Sequence, residues 1–174
     1  MSGHSKWSQI KHKKGASDQK KGQIFSKLSK KISIAARSGT DPLANYHLQS
    51  VIDEARSFNM PKENIERAIK RASDKETIAL DTVIIQAMGP SGIAIIIEAI
   101  TDNKNRTINE IRHILIAHEV RMVPENSLNW MFNNNWEPNT PIEATAELQQ
   151  KIDTLLQVLD DNEDVENIYT NLAD

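Results

Sequence analysis

Residues 82–107 read TVIIQAMGPSGIAIIIEAITDNKNRT, and the hydrophobic period of this stretch decides the fold. TVIIQAM (82–88) and IAIIIEAIT (93–101) are dense in β-branched side chains, which suit a pleated, buried surface. GPSG (89–92) lies between them and supplies turn residues, so the two runs predict a β-hairpin. GPSG also has the form of the loop that clamps nucleotides in KH domains. That loop joins two helices, however, and Pro90 removes an amide donor, so the hairpin is the better reading. DNKNRT (102–107) then offers N-cap residues to a helix through NEIRHILIAH, with Ile108, Ile111 and Leu115 turned inward.

Further along, SLNWMF (127–132) predicts a third strand and NNNWEPNTP (133–141) a loop. A helix follows over 143–160, with Leu148, Ile152, Leu155, Leu156 and Leu159 on one face, and VENIYTN (165–171) closes as a fourth strand. The order ββαβαβ predicts a four-stranded antiparallel sheet with both helices on one face.

Upstream the period is helical. Ile24, Leu28, Ile32 and Ala35 or Ala36 recur through 24–37, with lysines opposite. GTDP (39–42) is a turn, and Asp41 before Pro42 predicts the start of a helix carrying Leu48, Val51, Ile52, Ala55 and Phe58. In NMPKENIERAIKRA, Pro61 suits a first helical position, Glu63 the first turn, and Ile65, Ala68, Ile69 and Ala72 one face. SDKETIALD (73–81) changes composition and marks a boundary. The expected fold class is therefore α+β. A three-helix bundle led by a basic arm occupies 1–75, and a domain with a four-stranded antiparallel sheet and two helices occupies 76–174.

Hydrophobic residues make up 39% of the 174 and charged residues 26%, which places the chain in the globular class. There is no cysteine, so disulfides and thiolate metal sites are excluded. The longest apolar run, IAIIIEAI, is broken by Glu98 and is far short of a membrane span. The basic N-terminus has neither the apolar centre of a secretory signal nor the arginines of a transit peptide, so a cytoplasmic, membrane-free protein is expected.

The net charge of −3 conceals a strong asymmetry. Residues 1–40 carry nine Lys and one Arg against the single acid Asp18, a net +9. Residues 41–75 balance at six of each sign, and residues 76–174 carry five basic and seventeen acidic residues, a net −12. A basic beginning and an acidic remainder point to a nucleic-acid-facing first part and a solvated or protein-facing second part.

No signature of catalysis accompanies this charge. The chain lacks the G-x-S-x-G elbow, the phosphate-binding G-x-x-x-x-G-K-[ST] loop and a G-x-G-x-x-G after a strand. His113 and His118 are five apart, the wrong spacing for two ligands on one helical face. DNKN (102–105) starts like a calcium loop but has neither the Gly nor the final Glu in place. No enzyme activity, cofactor or metal is expected.

The basic segment carries the functional expectation. Lys6, Lys11, Lys13, Lys14, Lys20 and Lys21 surround Trp7, His4 and His12. Lysines neutralise phosphates, and a tryptophan stacks on an exposed base. The plainer alternative is a solubilising arm whose Trp7 packs back on the bundle. Lys27, Lys30, Lys31 and Arg37 continue the strip along the first helix, and Lys62, Arg67, Lys70 and Arg71 add a third cluster diluted by Glu63 and Glu66.

MSGHSKWSQIKHKK resembles the opening of the YebC family, whose members begin G-H-S-K-W followed by I-K-H and basic residues. The similarity continues through Asp18, Lys20, Gly22, Ile24, Phe25, Lys27 and Leu28, then AAR (35–37), DP (41–42) and NMPKENIERAIKR (59–71). It resumes at GPSGIAIIIEAITDNKNRT (89–107) and IRH (111–113). The resemblance implies a cytoplasmic, non-enzymatic regulator of gene expression. Members of the family are described as DNA-binding transcriptional regulators, as mitochondrial translational activators for a cytochrome c oxidase subunit, and as ribosome-linked factors that relieve stalling at proline-rich stretches. Typical members insert a third domain after the segment matching SLNWMF. Here NNNWEPNTP runs straight to the last helix, and EVRMVPENS (119–127) replaces the usual glycine-rich stretch.

The sequence reading is thus a nucleic-acid-binding regulator, with ribosomal RNA the favoured target and duplex DNA the alternative. A protein-interaction module, with the sheet face as the site, is the rival from another class. The expected binding residues are His4, Lys6, Trp7, Lys11, His12, Lys13, Lys14, Lys20, Lys21, Lys27, Lys30, Lys31, Arg37, Lys70 and Arg71.

Overall fold

The structure, a computed structural model, describes residues 18–74 and 79–173, with side chains from Lys21 onward. The described residues form two compact units, which divide between Asp81 and Thr82.

The first unit holds three helices: α1 (Asp18–Ala35), α2 (Tyr46–Ser57) and α3 (Lys62–Ser73). Their apolar stripes meet in one core of Leu28, Ile32 and Ala35 from α1, Leu48, Val51, Ile52 and Ala55 from α2, and Ile65 and Ala68 from α3. Burying such a stripe, rather than intrinsic propensity, is what stabilises helices this short. Ser33 is buried in the same core and donates its hydroxyl to the Ala68 carbonyl at 2.8 Å, joining α1 to α3.

Two expected helix starts shift. α2 begins at Tyr46 rather than behind Asp41–Pro42, because Asn45 is the N-cap. Its Oδ1 accepts from the Leu48 amide at 3.0 Å, and its Nδ2 donates to the carbonyls of Ala35 and Gly39, each at 2.8 Å. One side chain therefore ties the end of α1, the loop and the start of α2 together. Asp41 closes a local turn instead, accepting from the Leu43 amide at 3.0 Å. Pro61 stands at the N-cap of α3 rather than its first helical position, with φ −59° and ψ 141°.

The second unit contains β1 (Asp81–Met88), β2 (Ala94–Thr101), α4 (Lys104–Ala117), β3 (Arg121–Val123), α5 (Ala146–Asp160) and β4 (Val165–Thr170). The strands form one antiparallel sheet in the order β3-β1-β2-β4. GPSG makes a single 3-10 turn over Pro90–Gly92 between β1 and β2, as the hairpin reading required. Ile111 and Leu115 of α4 and Ile152, Leu155, Leu156 and Leu159 of α5 pack on one sheet face, against Ile85, Ala87, Ile95, Ile97 and Ala99. Asn103 caps α4 by accepting from the Arg106 amide at 3.1 Å. Asp164, whose side chain is nearly buried, accepts from Arg106 at 2.9 Å and Thr107 at 2.6 Å, fixing the start of α4 to the turn before β4.

The third strand is not SLNWMF. It is the three-residue Arg121–Val123, which pairs with Gln86–Met88. Residues 127–132 form a turn and a 3-10 helix, Asn129–Met131, that covers the second sheet face. Leu128 and Phe132, four residues apart, pack there against Ala94 and Ile96. That spacing is helical, and Gln86 enforces it. Gln86 is 2% exposed, accepts from the Leu128 amide at 2.8 Å and donates to Asn129 Oδ1 at 2.6 Å. Residues 133–141 then fold back as a loop, with the Asn139 amide donating to the Met131 carbonyl at 2.9 Å.

Gln86→Leu keeps the bulk but leaves the Leu128 amide buried without its acceptor, which costs about 1–3 kcal/mol. Hydrogen exchange should show protection lost first at Leu128–Phe132, with the amides of α2 unchanged.

Candidate nucleic-acid interface

Seven of the expected binding residues, His4, Lys6, Trp7, Lys11, His12, Lys13 and Lys14, lie outside the described residues, as does the side chain of Lys20. The remaining seven all belong to the helical unit, and the structure divides them.

Lys27 is buried and Lys31 half-buried, where solvent-facing lysines were expected. They are one turn apart on the side of α1 that looks toward α2, where Lys31 pairs with Glu54 at 2.7 Å. Lys27, 5% exposed, is buried beside Leu28. A lysine in such a position can lay its methylene stem along the apolar edge while its ammonium meets a carboxylate.

Lys21, Arg37, Lys70 and Arg71 are exposed, and Lys30 is half-buried. Lys30 and Arg37 fall one turn before and one turn after Ser33, the residue that bonds α3. The turn carrying Arg37, Ala36–Ser38, itself packs against α3. On α3, Arg67, Lys70 and Arg71 are related by three and four residues and so share one face. Cations from α1 and α3 thus flank a common seam. Lys70 and Arg71 also occupy the last turn of α3, where the helix dipole favours positive charge.

Among the described residues, Arg37, Arg67, Lys70 and Arg71 form no ion pair. In the second unit Arg106 is held by Asp102 and Asp164, each at 2.9 Å, and by Glu110 at 3.8 Å. The hydrogen bond to Asp164 is the first cause that raises its pKa.

A second polar cluster lies on the covered sheet face. Glu98 accepts from Trp136 Nε1 at 2.9 Å, Asn167 Nδ2 at 2.9 Å and the Tyr169 hydroxyl at 3.2 Å. Burial, and then the charge of Glu98, push the Tyr169 phenol well above its ordinary value. With three donors in place the carboxylate is committed to holding the loop onto the sheet. Among the described residues no group of three or more His, Asp or Glu is placed to hold a metal. His118 bonds the Ile114 carbonyl at 2.9 Å and closes the end of α4. No helix among the described residues is long and apolar enough to cross a membrane.

Two residues that the sequence pattern did not single out stand clear of the helical unit, Leu43 and Tyr46. The available signal was positional: Tyr46 falls off the 48/51/52/55 stripe, on the face where polar residues belong.

Residues 5–75 match the model of the TACO1/YebC protein N-terminal domain, and residues 80–135 that of the TACO1/YebC second and third domain. A probable transcriptional regulatory protein of Chlorobium chlorochromatii is 43% identical over 178 residues, spanning 100% of this chain and 71% of that protein. This chain belongs to the TACO1/YebC family. A second TACO1/YebC relative, the probable transcriptional regulatory protein of Desulfosudis oleivorans, is 42% identical over 97% of this chain and 74% of its own. The crystal structure of the conserved hypothetical protein Aq1575 from Aquifex aeolicus has the same fold, with a TM-score of 0.87, 27% identity and 97% of each chain covered. The match to the second family model ends at residue 135, inside the 133–141 loop.

In this TACO1/YebC chain the raised Tyr169 phenol sets the sign of an alkaline effect. Above pH 10.0, the ordinary phenol value, the unfolded chain releases a proton that the folded chain keeps, so stability falls as pH rises. Tyr169→Phe removes this contribution. Denaturant midpoints measured on both sides of that pH should fall less steeply for the variant than for the parent.

Proposed function

We propose that this protein is a non-enzymatic regulator of gene expression that binds RNA through its basic helical unit, with ribosomal RNA the favoured target. The observation that carries the reading is the set of exposed cations in the turn after α1 and on α3, Arg37, Arg67, Lys70 and Arg71, that have no carboxylate partner among the described residues. A folded protein gains little from surface cations left unpaired, whereas a phosphate backbone gains a counterion from each. In the sequence before α1, Lys6, Lys11, Lys13 and Lys14 around Trp7 add further charge and a ring able to stack. Relatives named probable transcriptional regulatory proteins support regulation of gene expression as the general role.

RNA is favoured over duplex DNA by the position of charge on α3. Helices that read the major groove place base-contacting residues near their N-terminus. The first turn of α3 carries Glu63, which repels phosphate, and its one cation, Lys62, is paired with Glu66 at 3.4 Å, whereas Lys70 and Arg71 sit in the last turn. The names of the relatives keep duplex DNA as the second reading. Residues 133–145 lead into α5 as a loop.

The test replaces Arg37, Arg67, Lys70 and Arg71 with Gln in the full chain and follows anisotropy of a labelled single-stranded RNA and a duplex DNA across a salt series. We expect wild type to prefer the RNA, and the variant to lose about tenfold or more in affinity. Its slope of log affinity against log salt should fall by about 3, from a loss near 0.7 per phosphate contact. Unchanged affinity and slope would place binding elsewhere. Preference for the duplex would instead select the transcriptional reading. Co-sedimentation with ribosomes that weakens with salt would identify ribosomal RNA as the target.

A further inference from the structure

The loop between α1 and α2 leaves two large side chains in water while its backbone is held by several hydrogen bonds. Leu43 is 96% exposed and Tyr46 is 89% exposed. Burying either would yield about 1.5–3 kcal/mol. The loop is nevertheless tightly held. Gly39 turns the chain at φ 148°, and its amide bonds the Ala36 carbonyl at 3.1 Å. The Ala44 amide bonds the Asp41 carbonyl at 3.1 Å, and the Leu43 amide bonds Asp41 Oδ1 at 3.0 Å. Asn45, between the two exposed residues, makes the three side-chain bonds that anchor the loop to Ala35, Gly39 and Leu48. A flexible tip would scatter these side chains, whereas here the backbone that carries them is held.

The loop also sits beside positive charge. Asn45 binds the Ala35 carbonyl, two residues before the unpaired Arg37, and Tyr46 is the next residue along. His47 is exposed on the same turn. A rigid aromatic ring, an aliphatic neighbour and an adjacent arginine are the parts of a stacking platform for unpaired bases. A duplex offers no free base face to such a ring.

We propose that residues 37–47 form a docking point for single-stranded RNA. Tyr46 stacks on an unpaired base, Leu43 packs against the neighbouring base or ribose, and Arg37 takes the phosphate between them. This rests on the nucleic-acid reading above, which it deepens by naming the form of RNA recognised.

Tyr46→Ser, Leu43→Ser and Tyr46→Phe in the full chain test it, with circular dichroism to confirm folding, which side chains so exposed do not control. The probes are a labelled single-stranded RNA and an RNA hairpin stem. A stacked base is worth about 1–3 kcal/mol, so Tyr46→Ser should weaken single-strand binding about 5- to 100-fold. Its salt slope and stem affinity should not change, and Tyr46→Phe should restore binding to within about twofold, since the ring and not the hydroxyl stacks. Serine variants that bind single strands like wild type, while the Gln variant of the four cations still loses affinity, overturn this inference and leave the broader reading intact. A wild-type chain that binds no RNA overturns both. Loss of a protein partner from lysate in Tyr46→Ser, with RNA binding unchanged, would also overturn it and assign the loop to protein docking.

Discussion

Strand β2 must be covered on both faces, and the sheet unit is organised around that requirement. From Ile93 to Ile97 every residue is fully buried, so no face of this strand can meet solvent. Alternation sends Ile93, Ile95, Ile97 and Ala99 to one side, where α4 and α5 supply their stripes. Ala94 and Ile96 point to the other side, where no helix is available, and Leu128, Phe132 and Trp136 cover them instead. Glu98 is the charged exception in this strand. Its three hydrogen-bond donors all come from the cover and from β4, so the carboxylate becomes the attachment point for the loop.

The helical unit solves a different problem, that of keeping its cations available. A small bundle has room for few carboxylates among many lysines, and Glu54 is spent on Lys31, Asp53 on Arg56 and Glu66 on Lys62. Arg37, Arg67, Lys70 and Arg71 are left over. Asn45 ties the loop before α2 down, because a single amide satisfies groups from two helices and the loop between them.

Much of this was legible in the residues. The stripes of all five helices emerged from spacing, since burial of one face imposes a 3.6-residue period. The hairpin followed from β-branched runs around GPSG, and the sheet order ββαβαβ holds with a different third strand. SLNWMF misleads because Leu128 and Phe132 are apolar at a spacing that suits a helical turn as well as a short strand. The decisive partner, Gln86, lies 42 residues earlier and has no local signature. Lys27 and Lys31 misled for a related reason. A lysine beside an apolar stripe reads as solvent-facing, yet its stem can lie along the core and its charge can meet a glutamate on another helix.

The sequence by itself determined the division of charge, the helical and extended periods, the hairpin and the likeness to the TACO1/YebC family, because each of these is written in composition, local spacing or ordered motifs. Only the tertiary structure decided which of the described cations pair, where α2 begins, what covers the second sheet face and that Leu43 and Tyr46 stand in water. Those outcomes depend on side chains brought together from distant positions, Lys31 with Glu54, Gln86 with Leu128 and Trp136 with Glu98, and no local pattern encodes which of the possible partners arrives.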